Sequence, residues 1–256
     1  MRAQVRAQSQ YRISFWVDMV GSVVVSAMEV VAVLVLFRVT PALGGFSVRQ
    51  VLVMTGLALT AFSLADLLVG NIDSMRWFIR TGRLDGMLIR PVRLLPQLTF
   101  GEISVRRLGR VVQGAGVLGI ALSVADVHWT PARAALVAVA PLAGAVIFAS
   151  VFVAASSVAF WFVESGEFSA AFTYGGQQFT LFPATIYPRV FRGVFAYGLG
   201  FIFVAYLPGL AILGKADPLG TPAFLAWCTP VVAAIAVCVA GLIWRTGVRH
   251  YRSTGS

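Results

Sequence analysis

The sequence predicts an all-α polytopic membrane protein, and three observations carry that reading. The 256 residues are 59% hydrophobic and only 12% charged, more apolar surface than one soluble core of this length could hide. The apolar residues gather in runs of about 18 or more with few charges, the length an α-helix needs to cross a bilayer. Nothing resembles the short alternating segments of a membrane β-barrel. A net charge of +10 would suggest a nucleic-acid partner in a soluble chain. In a membrane chain it reports arginine gathered on the cytoplasmic side, so no nucleic-acid partner is expected. The first apolar run is too long for a cleavable signal peptide, and no small-residue cleavage site follows it.

A first span is expected over 15–37, after a basic start with Arg2, Arg6 and Arg12. Pro41, Gly44 and Gly45 make 38–49 a turn. A second span follows over 50–69. The stretch 70–107 is polar, with Arg76, Arg80, Arg83, Arg90, Arg93, Arg106 and Arg107. A third span is expected over 108–124. The fourth, 134–163, is unusually long, which tilting would accommodate. The last covers 223–244 and precedes Arg245, Arg249 and Arg252. Arginine therefore puts the N-terminus, the 70–107 stretch and the C-terminal tail in the cytoplasm. Trp16, Trp77, Trp161 and Trp244 would mark the inner interface, Trp129 and Trp227 the outer one.

Termini on one side require an even number of spans, so 164–222 must cross once. Hydropathy favours 194–213, which keeps Arg189 and Arg192 inside. The alternative crosses earlier, over 168–187, and leaves 188–214 as an apolar hairpin dipping back from outside. Pro183, Pro188 and Pro208 break the region into short pieces.

The segment RTGRLDGMLIRP, 80–91, can form a short helix. Arg80, Arg83 and Arg90 would fall within about an 80° arc, with Leu84 and Leu88 on the neighbouring face. Gly82 and Gly86 weaken the helix and Pro91 ends it. It is too short to stand alone in water. It needs the membrane surface or another protein to lie on.

Here the chain resembles permeases of the ATP-binding-cassette (ABC) type-2 exporter class, in the loop between their second and third spans. The matching residues are Gly82, Leu84, Asp85, Leu88, Arg90 and Pro91. In that class this loop is a coupling helix docked in a groove of the ATPase subunit. FTLFPATIYPRVFR, with Pro183, Tyr187 and Pro188, resembles the segment where span five of such permeases ends. FWFVESGEF resembles their acidic turn between spans four and five. The whole chain is most similar to the small, daunorubicin-resistance-like branch.

The resemblance implies six spans in a bacterial cytoplasmic (inner) membrane and both termini in the cytoplasm. It implies the early crossing for span five, with re-entrant helices that include Tyr206 and Pro208. It implies two ATPase subunits and a second permease, either a sister chain or another copy. ATP and Mg would be held by the ATPase, and this chain would hold no cofactor. Gly82, Arg83, Leu84, Asp85, Leu88, Arg90 and Pro91 would form the ATPase contact, with Glu164 and Glu167 at the inner mouth.

Glu29 is the sharpest single residue. Fourteen or so residues into a helix is about 20 Å deep, where an ionised side chain costs on the order of 2.5–3.5 kcal/mol. It must be protonated, paired with another span, or facing a substrate path or subunit interface. Asp18 and Asp66, near the inner ends of their spans, are expected to reach interfacial water or Arg12, Arg76 and Arg80.

GLAILGKA, 209–216, has the glycine and lysine spacing of a phosphate-binding loop. However, Ala216 stands where a magnesium-binding Ser or Thr is needed. If the protein is a pump, its motor is another chain. His128 and His250 are isolated, without metal-ligand neighbours. Cys228 and Cys238, ten residues apart on one helix, are separated by about 15 Å, too far for a disulfide. No serine or cysteine sits in a nucleophile elbow.

These features point to a non-enzymatic membrane subunit of an ATP-driven exporter for an amphipathic substrate such as a drug, natural product, lipid or peptide. Its other contacts would be membrane lipids. A stand-alone secondary transporter or channel should instead show repeated halves and interrupted helices with ion ligands at the midplane. The sequence has no clear repeat, and Glu29 has no obvious twin. A membrane scaffold is the third reading.

Overall fold

The computed structural model describes residues 12–100 and 105–251. Arg2, Arg6 and Arg252, and the side chains of Arg12, Trp16, Asp18 and Arg106, lie outside the description. The described residues contain no β-strand, and the chain is all-α. The long helices are α1 (Arg12–Val39) and α2 (Val48–Val69). A 3-10 turn, Gly70–Ser74, leads into three short helices: α3 (Met75–Arg80), α4 (Arg83–Leu88) and α5 (Leu94–Phe100). Next come α6 (Val105–Val124), α7 (Pro131–Ser157) and α8 (Gly166–Thr180). The remaining elements are α9 (Arg189–Arg192), which continues as a π-helical turn over Gly193–Gly198, then α10 (Tyr206–Leu213) and α11 (Thr229–His250).

By length and composition, Val48–Arg80, Pro131–Phe160 and Ala223–His250 could each cross a membrane. A fourth candidate is the pair Arg189–Gly198 and Phe201–Leu213, bent by 70°.

The centre of the bundle is α2, packed against α6 and α7. Small residues allow this. A Cβ on Gly56 would lie 2.7 Å from the Cα of Leu118, and one on Gly114 would lie 3.0 Å from the backbone of Leu59. Close approach through small residues is how helices associate where surroundings are already apolar. Phe62, Phe148 and Phe201 link α2, α7 and the segment before α10 through ring contacts of 5.3 and 5.0 Å.

The contacts define two ends of the bundle. At one, the turn before α2 receives two distant residues. Thr185 Oγ1 donates to the Gly44 carbonyl at 3.0 Å. Lys215 Nζ donates to the Gly45 carbonyl and to Gln50 Oε1, and sits 4.3 Å from the centre of the Phe46 ring. At the other end, Glu164 pairs with Arg76 and Arg80. So 164–185 runs the length of the bundle, whereas 186–214 leaves one end and returns to it. The tip of that hairpin reaches Val204, which lies with Ala61 beside Gly144. Ala61 is about 20 Å along α2, so the tip sits near mid-depth.

Two local expectations are corrected. The 80–91 segment is not one helix. Gly82 takes the left-handed conformation, φ 66°, and separates α3 from α4, so Arg80 and Arg83 share no helical face. Trp244, expected at an interface, is buried against Phe160 at 5.2 Å.

Candidate functional site

The arginine-rich end concentrates the charged side chains. The antiparallel packing of α2 and α6 sets the basic start of α6 beside the acidic end of α2. Asp66, with its side chain only 5% exposed, therefore pairs with Arg107 at 3.3 Å and Arg110 at 3.1 Å. It pairs with neither Arg76 nor Arg80. Arg107 also donates to Asn71 Oδ1 at 2.6 Å, and Asn71 donates to the Thr99 carbonyl. Tyr174 of α8 donates to Asp73 at 2.9 Å. The Asp66 carboxylate is thus buried against two arginines, which is the condition for burying charge.

The short helices α3 and α4 are held from two sides. Glu164, in the turn before α8, takes both Arg76 and Arg80. Tyr251, just beyond α11, donates its phenol to Asp85 Oδ1 at 3.1 Å. Burial and the Asp85 carboxylate push that phenol up to about 12, so it stays a donor at neutral pH. Phe160 packs on the rings of Trp244 and Tyr251, and Trp161 stacks on His250. A third tie comes from α5, where Gln97 Nε2 donates to the carbonyls of Met87 and Val92.

Within this frame the residues expected at a partner contact divide. Leu84 is fully buried and anchors α4 to the body of the protein; it presents nothing outward. Arg83 lies over Trp77 at 4.4 Å, a cation–π arrangement. Asp85 and Glu164 are engaged in the contacts above. Gly82 is the joint. Leu88, Arg90 and Pro91 are exposed, and Glu167 is exposed in the first turn of α8.

The most exposed large apolar residue of the segment is Ile89, at 86%, followed by Val92. Sequence reasoning passed over both, together with Tyr251 and Gln177, and gave Trp77 only an interfacial role. An isoleucine beside Arg90 and Pro91 in a polar stretch was the available signal for Ile89.

Glu29 is half-buried, and its Oε1 accepts from Gln177 Nε2 of α8 at 3.1 Å. In the hairpin, buried Pro183 precedes a 3-10 turn and Pro188 caps α9. Tyr187 packs between Phe179 (4.5 Å) and Phe191 (5.5 Å). Pro208 is buried in α10, and Tyr206 donates to Asp217. The phosphate-loop-like stretch is α10 and its left-handed cap, Gly214, with Lys215 turned onto the Gly45 carbonyl. No phosphate cradle is formed there.

No curated protein and no solved structure matches the chain. The family model for the ABC-2 family transporter protein matches residues 23–255. Apolar helices, a clamped pair of short basic helices at one end and a family match over nearly the full length agree: the chain belongs to the ABC-2 transporter family and is a membrane permease component of an ABC transporter.

Proposed function

We propose that the chain is the membrane subunit of an ATP-driven exporter and that α3–α4 with the following residues 89–93 couple it to an ABC ATPase. Members of this family normally work with such an ATPase. One observation carries the proposal. An exposed ridge of Leu88, Ile89 and Val92, flanked by Arg90 and Arg93, projects from a helix pair tied to α8 by Glu164 and to α11 by Tyr251. A ridge so held can pass a push from a docked subunit to several membrane helices at once. Arginines beside an apolar ridge suit an acidic-rimmed groove.

The six-span reading, with span five crossing early and 188–214 re-entrant, is supported by the contacts of Thr185 and Lys215 with the same turn. Both termini are then cytoplasmic, in a bacterial cytoplasmic membrane. Glu29 is assigned to the substrate path or to the contact with a second permease. The support is the exposed line of Glu167, Tyr174 and Gln178 on α8 beside the Glu29–Gln177 bond, since hydrocarbon does not suit a polar helix face. Export, an amphipathic cargo, two ATPase subunits and the daunorubicin-resistance-like branch rest on the resemblance.

The test is co-purification of the tagged chain with the ABC ATPases of its own genome in mild detergent. The wild type should retain an ATPase, and Ile89→Asp should lose it while staying monodisperse. Full recovery of the ATPase with Ile89→Asp would contradict the docking ridge. A chain that transports alone, driven by an ion gradient, would be a secondary transporter.

A further inference from the structure

The short elements at the arginine-rich end enclose a cavity of about 550 Å³, within the size range of ligand sites. Its apolar lining comes from Trp77, Phe78, Met87 and Leu98, and its charged lining from Arg83 and Arg90. Four other arginines at this end have an acid: Arg76 and Arg80 share Glu164, and Arg107 and Arg110 share Asp66. Arg83 and Arg90 make no ion pair among the described residues. The Trp77 ring orders the Arg83 guanidinium without neutralising it. Two cations over an apolar lining fit an anion that carries an apolar body. A water-borne phosphate would gain nothing from Phe78, Met87 or Leu98. The cavity also lies at the boundary where such a molecule is found: Asn71 and Ser74, which help line it, directly follow the apolar run of α2. Ile89 and Val92 of the outward ridge do not line it, whereas Arg90 beside them does.

We propose that this cavity binds the phosphate headgroup of an anionic phospholipid from the adjoining leaflet, held by Arg83 and Arg90. Juxtamembrane arginines attract anionic lipid in this way, and here they line a formed cavity. The bound lipid would brace α4 against α3 and α5, so the posture of the neighbouring ridge would depend on lipid composition. The inference rests on this end facing the cytoplasmic membrane surface. It does not require that an ATPase docks there.

The test uses the full chain reconstituted in phosphatidylcholine bilayers with a minority of phosphatidylglycerol. Native mass spectrometry of the extracted protein counts the lipids retained. Phosphatidylglycerol should be retained over phosphatidylcholine. The double variant Arg83→Gln/Arg90→Gln should weaken its retention by roughly 30-fold, the scale expected for two lost arginine contacts. Arg83→Lys/Arg90→Lys, which keeps the charges, should preserve most of it, and so should Arg93→Gln, which removes an arginine outside the cavity.

Should the glutamine variant fail to stay monodisperse, quenching by brominated phosphatidylglycerol decides instead. The quenched signal lost in Trp77→Phe should be large for phosphatidylglycerol and small for phosphatidylcholine. Equal retention of the two lipids, or unchanged retention in the glutamine variant, would overturn the proposal. Displacement of the lipid by inorganic phosphate alone would reassign the cavity to a soluble anion. Displacement by added ATPase, with an acidic residue cross-linking at Arg83, would reassign it to the partner protein. ATPase co-purification is scored separately on the wild-type chain: no ATPase retained, with phosphatidylglycerol retained, breaks the docking reading only, and an ATPase retained without lipid preference breaks this one only.

Discussion

The two ends of the bundle are held by different chemistry. At the Gly44 end, distant segments are fastened to backbone carbonyls: Thr185 to Gly44 and Lys215 to Gly45. The loop after α10 closes on itself, with Asp217 accepting from Tyr206, Thr221 and the Leu219 amide. The ion pair described there, Arg49–Asp126 at 3.5 Å, has side chains 60% and 94% exposed. At the arginine-rich end, ion pairs cross between elements, and one group of them is buried. A carbonyl tie fixes one turn in place. A shared carboxylate such as Glu164 or Asp66 joins two arginines to a separate helix, so moving α3 or α6 is felt elsewhere. The end built to transmit is the charged one.

That contrast predicts a steep ranking of substitutions. Asp66→Ala should have the largest effect. It leaves the part-buried Arg107 and Arg110 side by side without their acid, and breaking a fully buried pair costs about 3–5 kcal/mol, an upper bound here. A marked fall in the thermal unfolding midpoint of the detergent-purified chain would show it. Asp66→Asn, which keeps the shape, separates the loss of charge from the loss of volume.

Glu164→Gln comes next. Its pairs are partly exposed, so stability should fall by only about 1 kcal/mol. Stimulation of the partner ATPase should fall further than that stability loss explains. An unchanged ATPase response would remove Glu164 from the transmitting set. Asp126→Asn, at the other end, should change stability by less than about 0.5 kcal/mol, within the error of most unfolding measurements. A large effect there would erase the contrast between the ends.

Composition and run length made the helical membrane class legible. They could not rank the helices. Both α2 and α11 contain 22 residues and lie in stretches of similar mean hydropathy, yet the stretch containing α2 is 78% buried and that containing α11 only 22%. Hydrocarbon removes the inside–outside polarity cue that sorts soluble helices. Gly56 and Gly114 carried the information, but only their partners' positions give it meaning.

In the 80–91 segment, Gly82 and Pro91 were readable as punctuation. The arginine arc was not realised, because the left-handed glycine breaks it. Leu84 and Ile89 are both plain apolar residues in a piece too short for periodicity to separate. One is buried and the other is the most outward residue of the ridge. The partners of Asp66 were hidden because they depend on which helix packs against α2. In the 164–222 region two cues conflicted, Arg189 and Arg192 against Pro183 and Pro188. The contacts of Thr185 and Lys215 make 186–214 a hairpin at one end.

Every role assigned to the arginine-rich end requires that end to face the cytoplasm and the Gly44 end to face outward. Labelling with a membrane-impermeant thiol reagent measures this in intact cells, after Cys228 and Cys238 are replaced by alanine. Ile186→Cys and Ala216→Cys flank the hairpin at the Gly44 end, and Ile89→Cys reports on the ridge. Ile186→Cys and Ala216→Cys should both react from outside, and Ile89→Cys only after the membrane is permeabilised. Labelling of Ile186→Cys and Ala216→Cys from opposite sides, or of Ile89→Cys in intact cells, would contradict the assignment.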